Sequence, residues 1–120
     1  MKRLLVYCEG PTEELFAADV LAPHFLQADI FAIPTGAGGV SRYAQIKKDL
    51  TLLCKNSDAL VTTMLDFYGL PSNAPGVKSA TGSIYEIARQ IEVEIESDIN
   101  CDNLLVYLAV VRWAIVFKDI

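Results

Sequence analysis

The chain has 120 residues, of which 52% are hydrophobic and 21% charged, the composition of one folded globular domain rather than of a disordered segment. Fifteen acids against ten bases leave a formal net charge of −5. This balance excludes a protein that grips nucleic acid by mass basicity, which needs a Lys/Arg-rich face; contact with nucleic acid then requires a focused site, for example one carrying a metal ion.

Met1-Lys2-Arg3 is basic, but the apolar run that follows stops at Glu9, too early for the core of a secretory signal. Leu4-Leu5-Val6-Tyr7-Cys8 instead reads as a buried strand, closed by Glu9-Gly10-Pro11. Pro11 suits a first helical position, where its missing N–H would have no partner. Residues 12–25 then predict a helix with Leu15, Phe16, Val20 and Leu21 on its buried side, ended or kinked near Pro23. Ile30 to Ile33 predicts a second strand, and Pro34-Thr35-Gly36-Ala37-Gly38-Gly39 a loop. Ser41 is the expected N-cap of a helix burying Tyr43, Ile46, Leu50, Leu53 and Cys54.

Ala59 to Leu65 predicts a third strand, with Asp66 at its C-terminal end and a long loop over 69–82. Ser83-Ile84-Tyr85-Glu86 fits a capping box, in which Ser83 and Glu86 exchange hydrogen bonds with first-turn N–H groups. The helix it opens should bury Ile84, Ile87, Ala88, Ile91 and Ile95 and expose Glu92, Glu94, Glu96 and Asp98. Leu104 onward supplies the last strand. The alternation of strand and helix predicts a three-layer α/β sandwich: a mainly parallel four-stranded sheet, Rossmann-like, in a single domain over 1–120.

The apolar run from Leu104 to Phe117 has 14 residues and contains Arg112, too short and too charged for a membrane span. Cys8, Cys54 and Cys101 are odd in number and form no Cys-x-x-Cys pair, which argues against a disulfide framework or a zinc site and for buried reduced thiols. A cytoplasmic protein without membrane contact is the expectation.

Ligands of open parallel sheets bind beyond the carboxyl ends of the strands, and two acids fall there. Glu9 follows the first strand and Asp66 the third; Glu13, one helical turn on, could face the same crevice. Grouped carboxylate oxygens suit a magnesium-type ion that keeps waters and binds phosphates. Each acid also has a structural reading: Glu13 and Glu14 are favoured at a helix start by its dipole, and Asp66 could close a turn. Arg42 and Lys78, on the loop side, are candidate phosphate contacts, although lone cations are usually only solvated. Gly36-Ala37-Gly38-Gly39 before a helix could cradle a phosphate, yet it lacks the Gly-Lys-Ser/Thr of a P-loop and reads first as a turn. His24 has no serine or acid at a supporting spacing and reads as structural.

Glu9-Gly10-Pro11-Thr12-Glu13-Glu14 resembles the Glu-Gly-x-Thr-Glu element of Toprim-like domains, found in primases, topoisomerases and overcoming-lysogenisation-defect nucleases. Asp66-Phe67-Tyr68-Gly69-Leu70-Pro71 resembles the Asp-x-Tyr-Gly-Leu-Pro element of an uncharacterised bacterial family placed with them. Gly38 to Tyr43 and Lys78 to Glu86 are similar to the same family, so the likeness spans residues 1–99. The resemblance implies a Toprim-like fold and a metal-dependent phosphotransfer or nuclease-type site acting on nucleic acid. It implies Glu9 as general acid/base or ligand and Asp66 as the metal-holding first acid, with Mg2+ as cofactor. Tyr68 stands where the wider pattern has a second acid, so one charge of that site is missing. Members of the uncharacterised family continue with a His-Glu-x-x-Glu-like segment; here Val110-Val111-Arg112-Trp113-Ala114-Ile115-Val116 stands instead, as in a truncated or diverged member. Two alternatives follow: a non-catalytic homo-oligomeric remnant, using Trp113 and Phe117 in an apolar interface, and a small nucleotide-binding module using the glycine loop.

Overall fold

The computed structural model of the chain describes residues 2–36 and 42–110. Among the described residues, five strands run parallel in one sheet: β1 (Lys2–Cys8), β2 (Ile30–Gly36), β3 (Ala59–Asp66), β4 (Leu104–Leu105) and β5 (Leu108–Ala109). Their order is β2-β1-β3-β4, with β5 continuing the line of β4 along β3. The helices are α1 (Pro11–Phe16), α2 (Ala22–Leu26), α3 (Tyr43–Leu53) and α4 (Ile84–Ile99). Side chains alternate across the pleat and feed two cores. Leu5 and Tyr7 of β1 and Val61 and Leu65 of β3 meet Ile46 and Leu50 of α3 and Ile91 and Ile95 of α4 on the first face. Val6, Cys8, Ala32 and Met64 meet Ala17, with Phe16, Leu21 and Phe25 packed around them, on the second. The result is the expected three-layer α/β sandwich.

Several local expectations hold in detail. Ser83 accepts from the Glu86 N–H at 3.2 Å and Glu86 accepts from the Ser83 N–H at 3.1 Å, the complete capping box. That exchange holds the Glu86 carboxyl below its ordinary range. Tyr43, Ile46 and Leu50 are buried as their spacing demands. The expected cap Ser41, most of the glycine loop, and the segment from Val111 to Phe117 lie outside the described residues. Strand β2, expected to end at Ile33, instead continues through Pro34, Thr35 and Gly36, expected as loop; the sheet tolerates Pro34 because β2 is an edge strand with one side of its backbone unpaired.

Two further expectations fail. Between α1 and α2 the backbone forms a π-helical turn, Ala17–Leu21, in which the Ala22 N–H reaches Ala17 O. This wider turn places Pro23 in a first turn, where no N–H is needed, so the helical path continues to Leu26. It also shifts the phase beyond it: Phe16 and Leu21, five apart, pack on the second core and Val20, expected inside, is exposed; Leu15, before the turn, is exposed as well, where Glu13 and Ala17 are buried. Second, the last strand is broken and Glu92, expected in solvent, is buried. The register against β3 is unchanged, Val61 facing Leu104 and Leu65 facing Leu108, so no residue is inserted. The ladder is instead replaced by side chains. The Thr63 hydroxyl accepts from the Tyr107 N–H (2.9 Å) and donates to Tyr107 O (2.6 Å). From α4, Glu96 accepts from the Val106 N–H (3.2 Å) and Glu92 from the Leu108 N–H (2.9 Å).

On the second face the helices stop short of the β3–β5 half of the sheet. Leu60, Leu105 and Tyr107 are exposed there, beside a groove of about 340 Å³ lined by Val6, Phe16, Leu21, Phe25, Met64 and Tyr107. No helix among the described residues is long and apolar enough to cross a membrane.

Candidate functional site

The chain passes from β1 to β2 over the second face and from β2 to β3, and β3 to β4, over the first. The winding therefore reverses between β1 and β3, and the carboxyl ends of those two strands border the crevice where open α/β sheets hold ligands. Cys8 lies opposite Met64, and the Glu9 N–H donates to Met64 O at 3.4 Å as the last rung of the pairing. Beyond it the main chains separate. The Glu9 side chain spans the gap, with Oε2 accepting from the Asp66 N–H at 3.0 Å.

Asp66 in turn caps the short 3-10 turn Phe67–Gly69, its Oδ1 accepting from the Tyr68 N–H at 3.0 Å. Gly69 closes against both acids. A Cβ at this position would lie 3.1 Å from Glu9 Oε1 and 3.7 Å from Asp66 Cβ, so any side chain would displace the Glu9 carboxylate. Tyr68, in the place of a second acid, is exposed and packs edge-on against Phe67.

Glu13 is the third acid of the rim. It sits in the first turn of α1 with only 9% of its surface exposed, and no cation pairs with it among the described residues. Glu14 packs its carboxylate against Gly36 at the end of β2. These charges are felt by their neighbours. The Glu9 carboxyl is pushed above its ordinary range, first by burial and then by the charges of Asp66 and Glu13, against the opposing hydrogen bond from Asp66 N–H. The Cys8 thiol is pushed up to about 12 by burial and by Glu14 and Glu13. Tyr7, buried beneath the rim, donates to Asp49 Oδ2 at 2.7 Å, and Gln45 donates to Asp49 Oδ1 at 2.7 Å. A groove of about 340 Å³ opens between them, lined also by Thr35 and Gly36. This flank of the rim was not anticipated; the placement of Gln45 and Asp49 one turn apart on α3 was its only trace in the chain.

Among the described residues no three His, Cys, Asp or Glu side chains are gathered closely enough to form a metal cage of their own. Glu9 and Asp66 come together; Glu13 adds its charge from one helical turn away. Magnesium-type ions need only one or two carboxylates, with the remaining positions held by water and phosphate oxygens. Glu9 and Asp66 each commit one oxygen to a backbone N–H, so this donor set fits such an ion. Arg42 precedes α3 and Lys78 lies in the loop before α4; both are exposed, and neither makes an ion pair with the rim acids among the described residues. His24 is exposed on α2 and stacks edge-on against Phe25, away from any carboxylate pairing.

Residues 8–112 match the family described as a domain of unknown function, DUF4276, and the chain belongs to that family. The matched stretch contains Glu9, Glu13, Arg42, Asp66 and Lys78. No curated protein and no solved structure matches the chain.

Proposed function

We propose that this DUF4276 domain is a Toprim-like, divalent-cation-dependent phosphoryl-transfer domain whose substrates are nucleic acid phosphodiesters and whose centre is Glu9 with Asp66. The observation that carries the reading is the Glu9 carboxylate seated on the Asp66 N–H at the winding reversal, in a rim with uncompensated negative charge among the described residues. A structural carboxylate is normally paired or hydrogen-bonded to quietness; a rim in which Asp66 and Glu13 raise the proton affinity of Glu9 calls for a cation.

A bound magnesium-type ion would neutralise the rim and polarise a phosphoryl oxygen. Asp66, oriented by the Tyr68 N–H, and the outer oxygen of Glu9 would hold it. Because Glu9 holds protons above its ordinary range, cation uptake would displace a proton from it and strengthen as pH rises. Arg42 and Lys78 would contact phosphates at the loop side. The test is cleavage of single- and double-stranded oligonucleotides in Mg2+ or Mn2+. Wild type cleaves, and Glu9→Gln and Asp66→Asn each lower the rate by about 10² or more. Cleavage unaffected by both substitutions, or none with either metal, rejects the reading.

A second reading, a non-catalytic homo-oligomer, is favoured by the uncovered Leu60, Leu105 and Tyr107 on the second face. It predicts an assembly larger than the monomer at micromolar concentration, dissociated by Leu105→Glu; sedimentation at the monomer mass throughout that range removes it.

A further inference from the structure

We propose that Cys54 and Cys101 are a disulfide-forming pair that, on oxidation, staples the end of α3 to the turn following α4. The two residues are 47 positions apart in sequence, yet their thiols are near enough to perturb one another, while the Cys101 thiol donates to Ile99 O at 3.7 Å. The backbone holds them there. Cys54 is the C-terminal cap of α3, its N–H bonded to Leu50 O at 2.9 Å. Cys101 follows Asn100, the left-handed cap that ends α4. Asn103 then locks the two turns together, its Nδ2 donating to Cys54 O (3.2 Å), Asn56 O (3.2 Å) and Ala59 O (3.0 Å). Both cysteines are partly exposed and pack against the first core, so solvent reagents reach them without unfolding. Cys8 is fully buried in the second core across the sheet, and cannot compete.

With oxidised glutathione as oxidant, one cysteine thiolate attacks a glutathione sulfur, forming a mixed disulfide and releasing one glutathione thiolate. The second cysteine thiolate attacks the protein sulfur of that bond, forming the internal disulfide and releasing the second glutathione thiolate. Two protons leave the cysteines and two electrons pass to glutathione. Burial and the neighbouring thiol push the Cys54 thiol up to about 12, so attack by Cys54 accelerates as pH rises. The bridge is a covalent clamp between the end of α3 and the turn after α4.

The experiment incubates the full chain with oxidised glutathione at alkaline pH, quenches with acid, alkylates under denaturation and reads intact mass. Three alkyl groups on the reduced protein fall to one on the oxidised protein, with no glutathione retained and a proteolytic fragment joining Cys54 to Cys101. Cys8→Ser falls from two alkyl groups to none, and Cys101→Ser forms no internal bridge. Three alkyl groups surviving oxidation, a bridge that includes Cys8, or bridges only between chains would overturn the proposal.

Discussion

Two parts of this molecule solve the same problem in the same way and differ in what is left over. At the rim, β1 and β3 part and the Glu9 carboxylate replaces the next rung by accepting from the Asp66 N–H. At the other side of β3 the last strand leaves its ladder, and Glu92 and Glu96 accept the stranded N–H groups of Leu108 and Val106. Glu92 is then finished: its second oxygen faces Arg89 Nη1 at 3.4 Å, an ion pair that sets a positive charge beside a buried negative one. Glu9 is not finished. Its neighbours are Asp66 and Glu13, like charges that raise its proton affinity above the ordinary range. A backbone hydrogen bond thus marks a structural carboxylate in both places, and only the unbalanced charge marks the rim as a place for something else.

Removing the structural carboxylate, Glu92, has the largest expected effect. Glu92→Leu leaves the buried Leu108 N–H without an acceptor and should cost about 2 kcal/mol of unfolding free energy, read from urea denaturation. Glu96→Leu, at a half-buried position, should cost about 1 kcal/mol by the same measurement. A loss at Glu92 no greater than at an exposed glutamate such as Glu94 would show that the carboxylate does not hold the strand.

Glu9→Gln should go the other way. Its amide oxygen still accepts from the Asp66 N–H, while the charge opposed by Asp66 and Glu13 is gone. A carboxyl whose folded pKa is raised adds stability at low pH that is lost as pH rises from the ordinary value of 4.5 through the folded one. The variant is therefore equal to wild type in acid and gains on it as pH rises through that window, with thermal midpoints across pH as the readout. A destabilised variant at neutral pH would make Glu9 another Glu92.

The smallest effect is expected at Asp98, which accepts from Tyr43 OH at 2.6 Å and pairs with Lys47 at 3.2 Å on an open surface. The Tyr43 hydrogen bond, followed by Lys47, holds its carboxyl below 3.8. Its contribution is present above that value and fades as pH falls through the lower folded one. Asp98→Asn should cost about 0.5 kcal/mol at neutral pH and less in acid, by urea denaturation.

What could be read in advance follows from range. The capping box and the 3–4 residue spacing of Tyr43, Ile46 and Leu50 are local, and both appear as expected. The parallel sheet follows from the alternation of strand and helix, and the adjacency of β1 and β3 places Glu9 beside Asp66. Where the outcome rests on contacts distant in sequence, the pattern misleads. Glu92 looks like a solvated helix residue because nothing near it shows that Leu108 will present a stranded N–H. Val20 lies on the wrong side because a single π-helical turn before Pro23 shifts the helical phase. Cys54 and Cys101, scattered in sequence, meet because two helix ends meet.

The central claim is that Glu9 and Asp66 jointly create the affinity of the rim for a divalent cation, and calorimetric titration of the folded chain with Mn2+ tests it directly. The account predicts saturable heat with one ion per chain, lost in both Glu9→Gln and Asp66→Asn and retained in Glu94→Gln. Heat that is absent from wild type, or that survives both rim substitutions, would contradict it and leave Glu9 as a strand-end brace.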